Sequence, residues 1–228
     1  MRGSQHCCMS ITLSFRPHPW IADAAALLSP VGCAGCGRRD RGVCDDCRAE
    51  LFPRIGHASA PDLGVQVRVA LDYGGVTARV LRALKDGGRT DAVGPLAPPM
   101  RALLAGIPPG VRLVTMPSAP SAVRRRGYRP VDLLVRAAGF PLPRRPGLVL
   151  TREVADQAGL SAEERRANLR GAMRASRAVA GRPVVLVDDV LTTGSTLIEA
   201  ERALVAAACP VVGAACLAYT VKRKVSGR

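Results

Sequence analysis

Asp188 and Asp189 stand side by side at the end of the apolar run Pro183-Val184-Val185-Leu186-Val187, and Val190-Leu191-Thr192-Thr193-Gly194-Ser195-Thr196-Leu197 follows at once. A β-branched run without polar interruption reads as a strand buried on both faces, as in a parallel sheet, so the carboxylates sit at a strand's carboxyl end. Thr192, Thr193, Gly194, Ser195 and Thr196 then supply hydroxyls, a glycine and free backbone N–H groups. They lie just ahead of an apolar-periodic helix through Leu197, Ala200, Ala203, Leu204, Ala207 and Ala208. A helix start of this kind favours an anion, so the element is a phosphate cradle. No GxxxxGKS or GxxxxGKT occurs, which removes the lysine that an ordinary triphosphate site needs. Ionised neighbouring carboxylates accept hydrogen bonds from vicinal hydroxyls, and a diol beside a monophosphate describes a ribose 5-phosphate.

A second constellation lies near the amino terminus. Cys33-Ala34-Gly35-Cys36 and Cys44-Asp45-Asp46-Cys47 are two CxxC knuckles separated by seven residues, and that spacing lets each pair place two thiolates on one tetrahedral ion. Gly35 and Gly37 permit the left-handed backbone of a tight knuckle, and Gly42 helps the chain turn back. Structural zinc is the expectation. Disulfides are disfavoured in a reducing compartment, and a redox dithiol is disfavoured by two copies side by side. His57 reads as a solvated loop histidine, because four thiolates already saturate such a site.

These groups need elements to hold them. Trp20 to Leu28 reads as a short apolar helix, Leu51 to Pro61 as a linker, and Val65 to Leu71 as a strand that turns through Gly74-Gly75. A helix carrying Val76, Val80, Leu81 and Leu84 closes at Lys85, which could cap carbonyls or reach an anion. A helix over 93–104 follows, then a strand from Val111 to Met116 that ends at Pro117-Ser118-Ala119-Pro120, where a parallel sheet would open its ligand crevice. Arg124-Arg125-Arg126 comes next, placed to neutralise a pyrophosphate, and then a helix through Leu133, Leu134 and Ala137. Strands beginning at Val111, Leu148, Val184 and Pro210 are expected to make most of one parallel sheet, with Val211 to Tyr219 the last long one.

A chain of 228 residues, 48% hydrophobic, can bury one full α/β core and leave some tens of residues for an appendage. The expected division is a leader and short helix over 1–28, a four-cysteine module with linker over 29–60, and an α/β domain over 61–228. The net charge of +15 suits polyanions or phosphorylated metabolites, although an arginine-rich proteome would produce the same excess. No run approaches the roughly 18 apolar residues a bilayer span requires, since Ile21 to Leu28 is short and carries Asp23. Met1 to Phe15 lacks the features of a secretory signal, which makes the cytoplasm the expected compartment. Cys7 and Cys8 fall in this leader and receive no role.

The run from Val184 to Thr196 resembles the phosphoribosyl-pyrophosphate (PRPP) motif of type I phosphoribosyltransferases. The wider chain resembles one branch in particular, the competence-associated ComF family. There a four-cysteine zinc module precedes the transferase-like domain and the motifs keep a fixed order. The matches are Leu84-Lys85, Arg126-Gly127-Tyr128, Gln157-Ala158-Gly159-Leu160-Ser161 with Arg165 and Asn168, and the PRPP motif, so that the likeness covers the chain from about Ser29 onward. Two departures stand out: Arg129-Pro130 replaces the family's Asn and a polar residue, and the strand before Ser118 ends Thr-Met-Pro. Pro130 fixes φ and removes a donor N–H.

The resemblance implies a Rossmann-like parallel sheet flanked by helices behind a zinc module held by Cys33, Cys36, Cys44 and Cys47. It implies Mg²⁺-bound PRPP with Asp188 and Asp189 on the ribose as the catalytic pair, residues 192–196 on the 5-phosphate, and Lys85 and Arg126 on pyrophosphate. Pyrophosphate would leave C1 through an oxocarbenium-like state and a nitrogen nucleophile would take its place. The competing reading is a non-catalytic DNA-uptake accessory that keeps the cradle for binding and meets single-stranded DNA through Arg124 to Arg126 and the tail Lys222-Arg223-Lys224. Few aromatics are available for stacking on bases, Tyr128 and Phe140 being about all.

Overall fold

The computed structural model describes residues 32–39, 42–154 and 162–220. The expected helix at 20–28, the segment 157–161 and the tail 222–224 lie outside them. After α1 (Asp45–Glu50) come β1 (Gly56–Ala58), β2 (Val67–Asp72), α2 (Gly75–Lys85), α3 (Val93–Leu104) and β3 (Arg112–Thr115). The chain continues through α4 (Pro120–Arg126), α5 (Pro130–Ala137), β4 (Leu148–Leu150), α6 (Ala162–Leu169), β5 (Met173–Ala175), β6 (Val184–Leu191), α7 (Ser195–Val205) and β7 (Val211–Tyr219). The main sheet runs β1-β2-β7-β6-β3, parallel except for the short β1, which pairs antiparallel with β2.

The period of two along β6 explains the layering. Val185 and Val187 join the cluster under α2, α3 and α5, while Val184 and Leu186 join the one under α7 and the β4–β5 ribbon. All four are buried, as expected of a strand covered on both faces. α3 contains Pro98 and Pro99, each of which removes an intrahelical donor. Packing holds it instead, for Leu96, Met100, Leu103 and Leu104 are fully enclosed. Pro130, which departs from the family's pattern, occupies the first turn of α5, where its missing N–H costs the helix nothing.

Two readings need correction. The strand at Leu148 does not join the parallel sheet: β4 pairs antiparallel with β5 in a separate two-stranded ribbon. Gly147 crosses the face of β3 so closely that a Cβ there would meet Val114 Cγ2 at 2.9 Å, so the chain passes over the sheet instead of lining up beside its edge. The stretch read as a linker at 51–61 contributes β1, and Arg54 N–H donates to the Ala70 carbonyl at 2.8 Å. Among the described residues no helix is long and apolar enough to cross a membrane.

Candidate functional site

The carboxyl end of β6 delivers both acids. Asp188 Oδ1 accepts from Asp189 N–H, and Asp189 Oδ1 from Val190 N–H, each at 2.9 Å, so the backbone itself orients the pair. Asp189 is 5% exposed and Asp188 half-buried. Burial, and then the charge of Asp189, pushes the Asp188 carboxyl up to about 8, against the pull of Lys85.

Lys85 reaches this pair from the last turn of α2, with Nζ 2.7 Å from Asp189 Oδ2. Burial opposes its charge, but the two aspartates outweigh that and raise its pKa. Neighbours on α4 and beyond fix the helix end: Tyr128 OH donates to the Leu84 carbonyl and Arg126 Nη1 to the Lys85 carbonyl, both at 2.5 Å. The guanidinium of Arg126 is therefore tied to the backbone of the residue it was expected to accompany, while its buried Nε has no partner.

Lys85, Asp188, Asp189, Arg126 and Thr196 meet in a cleft of about 560 Å³, together with Ser118 and Arg125. Leu150, Val154, Leu169 and Met173 form its apolar wall. Of the five cradle residues only Thr196 lines this volume, and Thr192 is exposed at the loop's rim. Thr193 Oγ1 lies 2.9 Å from Ser195 Oγ. Gly194 caps α7 with φ 78°, and a Cβ there would come within 2.6 Å of Ala60 Cβ, so both backbone angle and space demand glycine. The first turn of α7 leaves backbone N–H groups without helical partners beside these hydroxyls.

Glu199 was not anticipated. It is buried on α7, accepts Met173 N–H at 3.0 Å and receives two bonds from Arg202 at 2.8 Å, which ties the ribbon carrying the apolar wall to the cradle helix. Its only trace in the sequence is an acid on an otherwise apolar helix face with arginine three residues later. The Arg125 placement and the apolar wall also depend on topology that no local pattern carries.

The sulfurs of Cys33, Cys36, Cys44 and Cys47 lie within 4.8 Å of one another, with Cys33–Cys44 at 3.6 Å and Cys36–Cys44 at 3.7 Å. Four thiolates on a tetrahedral zinc at about 2.3 Å would be roughly 3.8 Å apart, so the cluster fits such an ion and could hold it. A Cβ on Gly35 would meet Cys47 Sγ at 2.6 Å. Arg79 Nε donates to the Gly35 carbonyl, and Arg89 donates to the carbonyls of Gly32 at 2.9 Å and Gly42 at 3.1 Å. The cysteine loop is thereby moored to α2, the helix that ends in Lys85.

A parallel sheet whose carboxyl ends present paired acids and a hydroxyl-rich helix start defines a phosphoribosyl transferase domain, and the model of the phosphoribosyl transferase domain family matches residues 122–226. DNA utilization protein YhgH of Escherichia coli O157:H7 is 29% identical over 83% of this chain and 89% of its own length. Competence protein F of Haemophilus influenzae is 42% identical over 35% of this chain and 38% of its own. With a four-cysteine cluster ahead of the matched residues, the chain is similar to these relatives, and over most of its length to the first of them. Orotate phosphoribosyltransferase of Mycobacterium tuberculosis, solved with inorganic phosphate, aligns over 77% of this chain and 94% of its own at 18% identity and a TM-score of 0.34, too slight a likeness to carry an argument.

Proposed function

We propose that the cleft binds PRPP with Mg²⁺ and that the chain serves DNA utilization from the cytoplasm. The observation that carries this reading is the meeting of Lys85 with Asp188 and Asp189 beside the Thr192–Thr196 loop. The acids take the ribose hydroxyls, residues 192–196 take the 5-phosphate, and Lys85 and Arg125 face the pyrophosphate, with Arg126 holding Lys85 in place. Mg²⁺, when bound, would neutralise charge on the pyrophosphate. A transferase step would break the bond from C1 to the pyrophosphate oxygen, release pyrophosphate, and form a bond from C1 to an incoming nitrogen. The protein's contribution would be positioning and electrostatics. The cysteine cluster fits a structural zinc ion, and we assign it that role.

Titration calorimetry with PRPP, ribose 5-phosphate and pyrophosphate, each with Mg²⁺, tests the binding. PRPP should bind tightest, and both fragments should compete with it; binding of none of the three ends the proposal. Release of pyrophosphate on adding candidate acceptors would then separate an enzyme from a binding module. The second reading, a DNA-uptake accessory without turnover, draws on the names of the relatives and on the charge of +15.

A further inference from the structure

β3 is the open edge of the sheet, and its flank is occupied by α5 and the segment Leu142-Pro143-Arg144-Arg145-Pro146-Gly147. Arg129, Arg136, Arg144 and Arg145 line an enclosed niche there of about 40 Å³, a few water molecules' worth of room. The one carboxylate lining it is Asp132, which already accepts the Thr115 hydroxyl at 2.6 Å and lies 3.9 Å from Arg129. Leu113 and Pro143 are shared with a neighbouring groove of about 330 Å³, where Arg112 and Arg182 add two cations and no lining residue is acidic. Arg112, Arg136, Arg144, Arg145 and Arg182 make no ion pair or side-chain hydrogen bond among the described residues.

Unneutralised guanidiniums gathered along one edge repel one another and focus a positive field into the concavities between them. The planar fork of arginine matches a phosphate oxygen pair, and two adjoining concavities provide for successive phosphates instead of a single one. Phe140 is the sole aromatic lining residue and packs against the core, so the edge offers no series of stacking platforms for bases. The exposed large apolar residues, Phe52, Ile55, Val205 and Val212, line neither concavity, and the apolar lining of the larger groove, Ile107, Val111, Leu113 and Phe140, is half-buried or buried, so this edge exposes no large apolar side chain to a bilayer.

We infer that the β3 edge is a phosphate-binding track, separate from the carboxylate cleft, that holds the phosphodiester backbone of a polynucleotide. It does not depend on PRPP occupying the cleft, and it differs from Arg124 to Arg126, which sit on α4 at the cleft's margin.

Fluorescence anisotropy of a labelled oligothymidylate, over a salt series and with the full chain, tests this. For R144E/R145E and for R112E/R182E the expected result is at least about tenfold weaker binding, with a salt slope flatter by about 0.7 for each phosphate no longer neutralised. R124E/R125E should retain most of the affinity. Circular dichroism and the PRPP-induced melting shift should be unchanged in the edge variants; if charge reversal unfolds them, R144Q/R145Q carries the same test. Unaltered oligothymidylate binding in all edge variants overturns the track, as does loss confined to R124E/R125E. Calorimetric binding of orthophosphate that R144E/R145E abolishes, with oligothymidylate unaffected, would make the niche a free-anion site and overturn the polynucleotide assignment. Binding to phosphatidylserine vesicles without oligothymidylate binding would overturn it in favour of a lipid surface.

Discussion

Asp188 is held in a state that an exposed aspartate would not tolerate. Its carboxyl rises from the ordinary 3.8 to about 8, chiefly through burial, so the folded protein keeps a proton that the unfolded chain gives up. Stability of the ligand-free protein should therefore fall as pH rises through that window, because the unfolded state binds fewer protons there. Calorimetric melting of the wild type against Asp188→Asn across the window should show a gap that changes with pH; a constant gap would contradict the assignment. Gly194 makes a second prediction at this scale. Alanine there must adopt a left-handed backbone, worth roughly 1–3 kcal/mol, and must also displace Ala60. Urea unfolding should show Gly194→Ala destabilised by at least that amount, with Ala60→Gly recovering the steric part but not the backbone part. Asp188 and Gly194 both stand in the run 184–196 that resembles the PRPP motif, yet what the sequence conveyed was their order and type. The ion pair between Lys85 and Asp189 joins distant parts of the chain, and only the adjacency of α2 and β6 reveals it.

At the level of elements, α2 couples the cysteine loop to the cleft. Its body is bonded to that loop through Arg79, Val76 packs behind Gly35 and Cys47, and its end presents Lys85. Metal analysis of protein prepared reduced and without chelator should find a single zinc ion per chain. Stripping that ion should lower hydrogen-exchange protection in residues 42–51 and along α2, while β6 and β7 keep theirs; unchanged protection in α2 would break the coupling. Glu199 acts at the same scale. Its replacement by alanine leaves Met173 N–H unpaired in a buried place and should cost about 1–3 kcal/mol in urea unfolding. β6 was legible because an uninterrupted β-branched run ending in two carboxylates reads as a strand buried on both faces. The three-residue β4 was legible as a strand but not as a partner of β5, since alternation over so short a span contains no information about which sheet it joins.

For the molecule as a whole, the charge of +15 could be read from composition, but its distribution could not. Folding sends Lys85, Arg125 and Arg126 to the cleft and brings six other arginines to the open edge of β3. The proposed ligands divide the same way, a phosphoribosyl group for the cleft and a polynucleotide backbone for the β3 edge. The cleft is the more specific of them, because the carboxyl end of β6 and the start of α7 set its carboxylates and hydroxyls together and the end of α2 brings in Lys85. Thermal melting with PRPP and Mg²⁺ tests that claim most directly, since a ligand bound only by the folded state adds about 2.7 kcal/mol at a hundred times its Kd. The melting point of the wild type should rise, and that of Asp188→Asn/Asp189→Asn should not. A wild-type curve unmoved by saturating PRPP, or an equal rise in the double variant, would contradict the account.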